Sequence, residues 1–384
     1  LGIDYATIGN NEGIGLAKDE LDCLYEQAKF QPIIGNLKDE GRQPEWAKSY
    51  LIHRTKAGTN IAFLAYTFPY YITYAPNGWQ VLEPMARLEE DLARPEVKDA
   101  DIVVVLSHLG VRYDEQIAET YPQVNLVIGS HTHHLFEEGK LVNETYLAAA
   151  DRYGYYLGCI DLTVENGRLI ECQIEAIPTK SYILDLDKED ETFIKAMREE
   201  GHRRLAQKKV ANLGRELDFD ETCQLVLQAV CQETHSQLTL LNTGLIMKTL
   251  GPQVTMADLQ EALPHQMRMA RLVVTGQELK EICQEVFTKA ELLKNQAIKG
   301  MGFRGKTFGE VITGNFAYKN GNLLYNRRVV DSNEKFSLVL VDQYYFASYF
   351  PTIKEKEVTL LFPDLLRELV AKYLGKNGAN WDKI

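Results

Sequence analysis

The chain has 384 residues, of which 45% are hydrophobic and 25% charged, and it carries a formal charge of −12. That length suggests two domains, and the composition is that of a globular protein rather than a disordered or low-complexity one. The negative charge repels phosphate backbones and argues against sequence-independent nucleic-acid binding, so an anionic ligand would need local help from metal ions or helix N-termini.

No apolar run approaches the ~18 residues that span a bilayer, so no membrane partner is expected, and the chain is expected as a monomer or homodimer. No signal peptide is visible, although the first residue is Leu1 and not Met. A cytoplasmic location is expected, with a secreted or cell-surface one as the alternative if a signal peptide lies upstream. The six cysteines, Cys23, Cys159, Cys172, Cys223, Cys231 and Cys283, include no CxxC pair and are expected as buried free thiols of a reducing compartment.

In chain order, Ile3–Ile8 reads as a short strand running into Gly9-Asn10-Asn11-Glu12-Gly13, whose glycines and asparagines predict a turn of positive φ. Leu21, Leu24 and Ala28 give residues 18–29 helical spacing. Residues 32–36 and 61–66 read as strands and 84–93 as a helix. Residues 101–106 are β-branched through most of their length without polar alternation, as in a strand buried on both faces. A short helix at 114–120 and a second buried strand at 125–128 follow. This strand–helix alternation predicts a layered α/β domain, ended by a hairpin over 155–176 with Asn166-Gly167 at its turn.

Residues 185–210 are densely charged around a narrow apolar stripe of Phe193, Met197 and Leu205, which predicts a solvated helix joining two domains. The expected division is therefore 1–184, a linker helix at 185–210, and a second α/β domain at 211–384. In that second part, helices are expected at 221–234, 256–262, 276–288 and 363–374, and strands at 239–241 and 336–341.

Three segments share one physical form, an apolar strand running into a loop of metal-capable side chains. They lead to Gly9-Asn10-Asn11-Glu12, to Ser107-His108, and to Gly129-Ser130-His131-Thr132-His133-His134. Ligand sites in parallel α/β sheets gather at the carboxyl ends of strands, where adjacent loops bring distant side chains together. Imidazole suits Zn, Mn, Fe and similar ions, and carboxamide or carboxylate oxygens complete the shell. Residues i and i+2 of an extended segment point the same way, so His131 and His133 can address one ion or two neighbouring ones. The competing reading is a surface histidine cluster and a simple turn.

Together these motifs resemble the calcineurin-like metallophosphoesterases, in their 5′-nucleotidase/UDP-sugar hydrolase branch. "IDYATIGNNEG" is similar to that superfamily's Gly-Asn-His-Glu motif, "VVVLSHLG" to its lone-histidine motif and "VIGSHTHH" to its Gly-His-x-His motif. Beyond residue 210, "LNTGLIM" is similar to the Asn-x-Gly-x-Ile-Arg turn of the nucleotide-binding domain, followed by matching "VTMADLQEALPH" and "RLVVTGQELKEI". The resemblance implies an α/β fold: a four-layer α/β/β/α metallophosphoesterase domain followed by a C-terminal α/β nucleotide-recognition domain. It implies two divalent metal ions (Mn, Zn, Fe or similar), with Asn10, His108 and His131 as ligands of one and His133 as a ligand of the other. Glu12 is expected to support the loop from behind. The implied activity is metal-dependent hydrolysis of phosphate esters or anhydrides of a nucleotide-like small molecule. The alternatives are 2′,3′-cyclic nucleotide or UDP-sugar hydrolysis, or a catalytically weakened nucleotide-binding protein.

Four departures accompany the resemblance. The family's Asp-x-His and Gly-Asp motifs do not occur in this sequence; an N-terminal truncation is expected, and a protein that never carried them is the rival reading. Asn11 stands where the family has a histidine that stabilises the transition state or protonates the leaving oxygen. An amide donates a hydrogen bond but carries no transferable proton at pH 7, which implies a slower enzyme or a better leaving group, with His134 as a candidate substitute. Met247 replaces a phosphate-binding arginine, with Lys248 adjacent to take its place beside Asn242 and Gly244. Finally, His265 and Phe350 occupy the positions of two rings that sandwich a base, with Tyr349 flanking; the competing reading makes Tyr344, Tyr345 and Phe346 strand-edge packing.

Overall fold

Buried β-branched runs have no polar face to offer solvent, so they assemble side by side. The computed structural model describes residues 2–182, 186–298 and 302–377, and it divides into two compact units, Leu1–Asp187 and Lys188–Ile384. In the first unit, β1 (Tyr50–Arg54), β2 (Asn60–Thr67), β3 (Ile102–His108), β4 (Leu126–Gly129), β5 (Lys140–Val142) and β6 (Thr145–Ala148) form a six-stranded sheet. Its order is β1-β2-β3-β4-β6-β5. The central strands β2, β3, β4 and β6 are parallel, and the two edges are antiparallel.

One face of this sheet buries Leu64, Val103, Val105 and Val127 against Leu88 and Leu92 of helix Pro84–Leu92 and Ile117 of helix Val111–Thr120. The other face, with Ile102, Val104 and Leu126, packs on the hairpin β7 (Tyr156–Glu165) and β8 (Arg168–Pro178) through Ile174, Ile160 and Leu162. The hairpin turn has Asn166 at φ 50 and Gly167 at φ 73, the left-handed pair that an Asn-Gly two-residue loop supplies. Its outer face, including Leu157 and Ile170, is exposed.

A helix follows at Leu186–Ala206, with Phe193, Ile194 and Met197 exposed. Residues 183–185, the last of which begins the expected linker, lie outside the described residues. The second unit holds a mixed five-stranded sheet. Its strands are β9 (Leu238–Asn242), β10 (Arg268–Thr275), β11 (Val311–Gly314), β12 (Lys335–Val341) and β13 (Thr359–Leu365), in the order β11-β9-β12-β10-β13. Helices Phe219–Glu233, Gly276–Leu293 and Leu366–Asn377 complete one contiguous core around it.

Cys223, Cys231 and Cys283 are buried free thiols, but Cys23 and Cys159 are exposed, which corrects the expectation of uniform burial. No helix among the described residues is long and apolar enough to cross a membrane.

Candidate metal centre

The parallel register pairs Thr67 with His108 and Ser107 with Gly129. His108 ends β3, and Ser130 follows β4 one residue beyond that pair, so both loops leave the sheet side by side. The third contributor arrives from further away. Residues 9–13 do not form the expected positive-φ turn: Gly9 has φ −86 and ψ 169, and residues 10–15 are helical. The reason is a cap. Glu12, three residues into the helix, accepts the Gly9 N–H through Oε2 at 2.8 Å, satisfying a donor that a helix start leaves unpaired. The loop-supporting role expected of Glu12 therefore has a physical form, and the cap sets buried Asn10 on the first turn.

Asn10 Oδ1 lies 2.8 Å from His108 Nε2 and 2.9 Å from His131 Nδ1, and the two nitrogens are 3.3 Å apart. Asn10 Nδ2 faces Asn11 Oδ1 at 3.5 Å, which orients the carboxamide with its oxygen toward the imidazoles. The approach depends on Gly9, where a Cβ would sit 2.8 Å from His108 Cε1. His131 is covered on one side by Phe68, whose ring stacks on it at 4.8 Å and 15°.

The segment after β4 is not extended, so the i, i+2 argument for His131 and His133 fails. Thr132 N–H donates to the Ser130 carbonyl at 2.8 Å around His131 at φ 68, a γ-turn of the rare left-handed kind. His133 is also left-handed, at φ 54. The turn sends His131 inward and leaves His133 and His134 exposed. Thr132 Oγ1 ties this loop to the preceding one, accepting from Val111 N at 3.0 Å and lying 2.9 Å from His134 Nδ1. His134 is thus anchored outside the cluster, and Asn11 is exposed beside it.

Burial first, and the neighbouring His131 and His133 next, push His108 down to about 4. Burial and His133 lower His131 in the same way. Both rings are therefore neutral near pH 7, the form that ligates a cation. Among the described residues no three His, Cys, Asp or Glu side chains gather to hold an ion; here the third donor is a carboxamide. Two imidazoles and an amide oxygen suit a borderline divalent ion. Bonds of ~2.0–2.1 Å place adjacent ligands roughly 2.9 Å apart in an octahedron and 3.4 Å in a tetrahedron. The three observed separations lie at or close to that range, so the residues fit one ion. For a second ion these loops offer only exposed His133, and one imidazole is not a seat.

The second unit arranges its expected residues differently. Asn242 is buried at the end of β9, where its Nδ2 donates to the Phe308 carbonyl and its Oδ1 accepts from Tyr344 OH at 2.7 Å. Gly244 N–H also donates to the Phe308 carbonyl, at 2.9 Å, and a Cβ at Gly244 would collide with the Thr307 and Phe308 carbonyls. The turn is thus strapped by the chain's own residues 307–310. Lys248 is exposed and paired with Glu261 at 2.7 Å. His265 is fully buried, stacked on Phe303 at 4.7 Å, with Nδ1 accepting from Arg304 N at 2.9 Å. Phe350 is fully buried against Phe308 and Tyr344, and Tyr349 is half-buried at its side. Rings with both faces covered cannot stack a base in this arrangement, which corrects the expected His265–Phe350 sandwich. Tyr344 is likewise core.

Sequence reasoning missed Gly9, Phe68 and Ser130 as parts of the centre. Phe68 and Ser130 were accessible to the rule that found His108, because each lies just past the end of a parallel strand.

No family model matches the chain. It is 34% identical over 392 residues to the uncharacterized metallophosphoesterase YunD of Bacillus subtilis (strain 168), covering 97% of this chain and 84% of that one. It is 21% identical over 356 residues to a 5′-nucleotidase of Vibrio cholerae serotype O1, covering 75% of this chain and 63% of that one. Among solved structures, the NAD nucleotidase of Haemophilus influenzae matches 98% of this chain and 82% of its own with a TM-score of 0.59 at 14% identity, a likeness of fold. With that near full-length kinship and the ordered motifs brought together at Asn10, His108 and His131, the chain belongs to the 5′-nucleotidase-like branch of the calcineurin-like metallophosphoesterases and is a phosphohydrolase.

Proposed function

We propose that this chain hydrolyses phosphate esters or anhydrides of nucleotide-like small molecules, using a divalent ion held by Asn10, His108 and His131. The observation that carries this reading is the convergence of three neutral donors from three sequence-distant segments, with mutual separations of 2.8, 2.9 and 3.3 Å. A bound ion would supply Lewis acidity, neutralising charge that develops on phosphoryl oxygens and making water a better nucleophile at neutral pH. The chain's own residues do the rest. Asn10, His108 and His131 present lone pairs from rigid strand ends and a capped helix, and Phe68 closes one side of His131 to water. Asn11, exposed at the rim with Oδ1 accepting from Asn10, can offer its amide N–H to a leaving oxygen but transfers no proton, which favours substrates with a good leaving group, such as anhydrides. His134, held by Thr132, is the nearest exposed candidate for a proton donor, and His133 borders the cluster.

Nucleotide substrates are favoured by the kinship with proteins named as nucleotidases. Burial of His265 and Phe350 favours a second reading, in which the substrate is gripped through its phosphate with no stacked base. Both readings are tested by product formation with and without Mn²⁺, read as inorganic phosphate from nucleoside monophosphates and base-free phosphate esters, as UMP and sugar phosphate from UDP-sugars, and as nucleoside monophosphate from 2′,3′-cyclic nucleotides. Metal-dependent turnover lost in His108→Ala and His131→Ala is expected, and turnover on the base-free esters alone would select the second reading. Turnover that is independent of metal, or retained in both variants, refutes the assignment of these residues.

A further inference from the structure

His108 has two ring nitrogens, and only Nε2 faces Asn10 and His131. Its Nδ1 lies 2.8 Å from Ser130 Oγ. That hydroxyl in turn lies 3.1 Å from the Ser107 carbonyl oxygen, to which it donates. A carbonyl accepts only, and a hydroxyl has one proton. Once the Ser130 O–H points to Ser107, its oxygen lone pair faces His108, and His108 Nδ1 must carry the ring proton. Nε2 is then bare, and its lone pair meets the Asn10 oxygen, another acceptor, at 2.8 Å. Two acceptors at that distance repel each other unless a cation lies between them or a proton on His131 Nδ1, 2.9 and 3.3 Å away, is shared by both.

The carbonyl at the end of this relay is held rigidly. Ser107 is buried within β3, its Oγ donates to Asp114 Oδ1 at 2.5 Å and accepts from Leu109 N at 3.2 Å. Asp114 comes this close because position 129 is glycine, where a Cβ would collide with the carboxylate. Ser130 is itself exposed, so its hydroxyl is not needed to fill the core.

We propose that Ser130 is a positioning residue of the metal centre: it accepts the Nδ1 proton of His108 and thereby holds Nε2 bare and aimed at the cation. The inference rests on the reading of Asn10, His108 and His131 as a cation seat. Its physical content is a choice of tautomer. Without the Ser130 acceptor, His108 adopts the other tautomer, and Nε2–H donates to Asn10 Oδ1 across the same 2.8 Å. That internal hydrogen bond competes with the cation for both donors at once. The partner of a ligating histidine's other nitrogen commonly changes metal affinity by about 10–100-fold.

The test uses the full chain with ¹⁵N-labelled histidine, His108 being assigned by the signal lost in His108→Ala. In metal-free wild type, His108 is expected as the Nδ1–H tautomer; in Ser130→Ala it shifts to Nε2–H; in Ser130→Thr, which keeps a hydroxyl, it returns. Mn²⁺ titration is expected to show about 10–100-fold weaker binding in Ser130→Ala, recovery in Ser130→Thr, and metal-free melting temperatures unchanged in both. An Nε2–H tautomer in wild type, or equal Mn²⁺ affinity of wild type and Ser130→Ala, overturns the proposal. Should wild type bind Mn²⁺ no better than His108→Ala, the cation seat fails as a reading. The tautomers still decide the role of Ser130: the shift in Ser130→Ala supports it, and the same tautomer in both proteins overturns it.

Discussion

Replacing Gly9 with alanine adds one methyl group at the point where the helix start meets the centre. The backbone there, φ −86 and ψ 169, is open to any residue, so no conformational strain enters. The new Cβ would lie 2.8 Å from His108 Cε1, 3.0 Å from His108 Nε2 and 2.9 Å from Glu12 Oε2. Non-bonded carbons rest ~3.5–4.0 Å apart, so the ring must retreat by roughly 0.7 Å or the helix start must. Metal–ligand distances tolerate about ±0.2 Å, so either movement breaks the match between His108 and Asn10. We expect Gly9→Ala to weaken Mn²⁺ binding about 10–100-fold, equivalent to ~1.4–2.7 kcal/mol, and to destabilise the metal-free fold by about 1–3 kcal/mol. Gly15→Ala is the matched control. It lies in the same helix with nothing within 4 Å of the added Cβ, and should stabilise by up to ~1 kcal/mol without touching metal affinity. Calorimetric Mn²⁺ titration and thermal denaturation read both effects. Gly9→Ala binding Mn²⁺ within twofold of wild type would refute the argument from close approach.

Two further outcomes follow from the second unit. Asn242→Ala orphans the buried Tyr344 hydroxyl, worth about 1–3 kcal/mol, and removes one of the two donors to the Phe308 carbonyl, which keeps Gly244 N–H; urea denaturation should show a clear loss, with Tyr344→Phe costing less, whereas unchanged stability would mean that Asn242 is not a structural tie. Burial pushes His265 down to about 4 from its usual 6.5. Its unfolded form therefore binds the proton first on acidification, so its contribution is fully present above about pH 6.5 and is lost as pH falls toward 4, by up to about 1.4 kcal/mol per pH unit. Asp342, pushed up to about 7 by burial in the same unit, has the opposite slope over much of this window. Only the difference between wild type and His265→Gln isolates His265, and a difference that does not shrink on acidification would count against a buried neutral ring.

The parallel strands β2, β3 and β4 were legible because a strand buried on both faces must be a continuous apolar run. His108 and His131 stood out as candidates because such strands end where ligand sites gather, whereas Asn10 follows a separate short strand, Tyr5–Ala6, outside that sheet. The half-exposed edge strands β1 and β5 were not legible, since short edges lack that run. Neither was β6, whose four residues give too short a pattern to read. The helix at Asn10 replaced a predicted turn because one side chain, Glu12, caps it. The γ-turn at His131 replaced an extended run because Thr132 is pinned from a neighbouring loop.

The sequence by itself determined which strands are central and which residue types reach the sheet's carboxyl edge, because burial and alternation are local properties of a few successive residues. Whether a reaching residue finds a ligand or a neighbour was decided by tertiary structure alone. Asn10 meets His131 across 121 positions and turns its carboxamide oxygen to both His131 and His108. Asn242 meets Tyr344 across 102 positions and has both ends of its carboxamide taken. Only packing between distant segments separates a carboxamide oxygen turned to two imidazoles from one bound by a tyrosine hydroxyl.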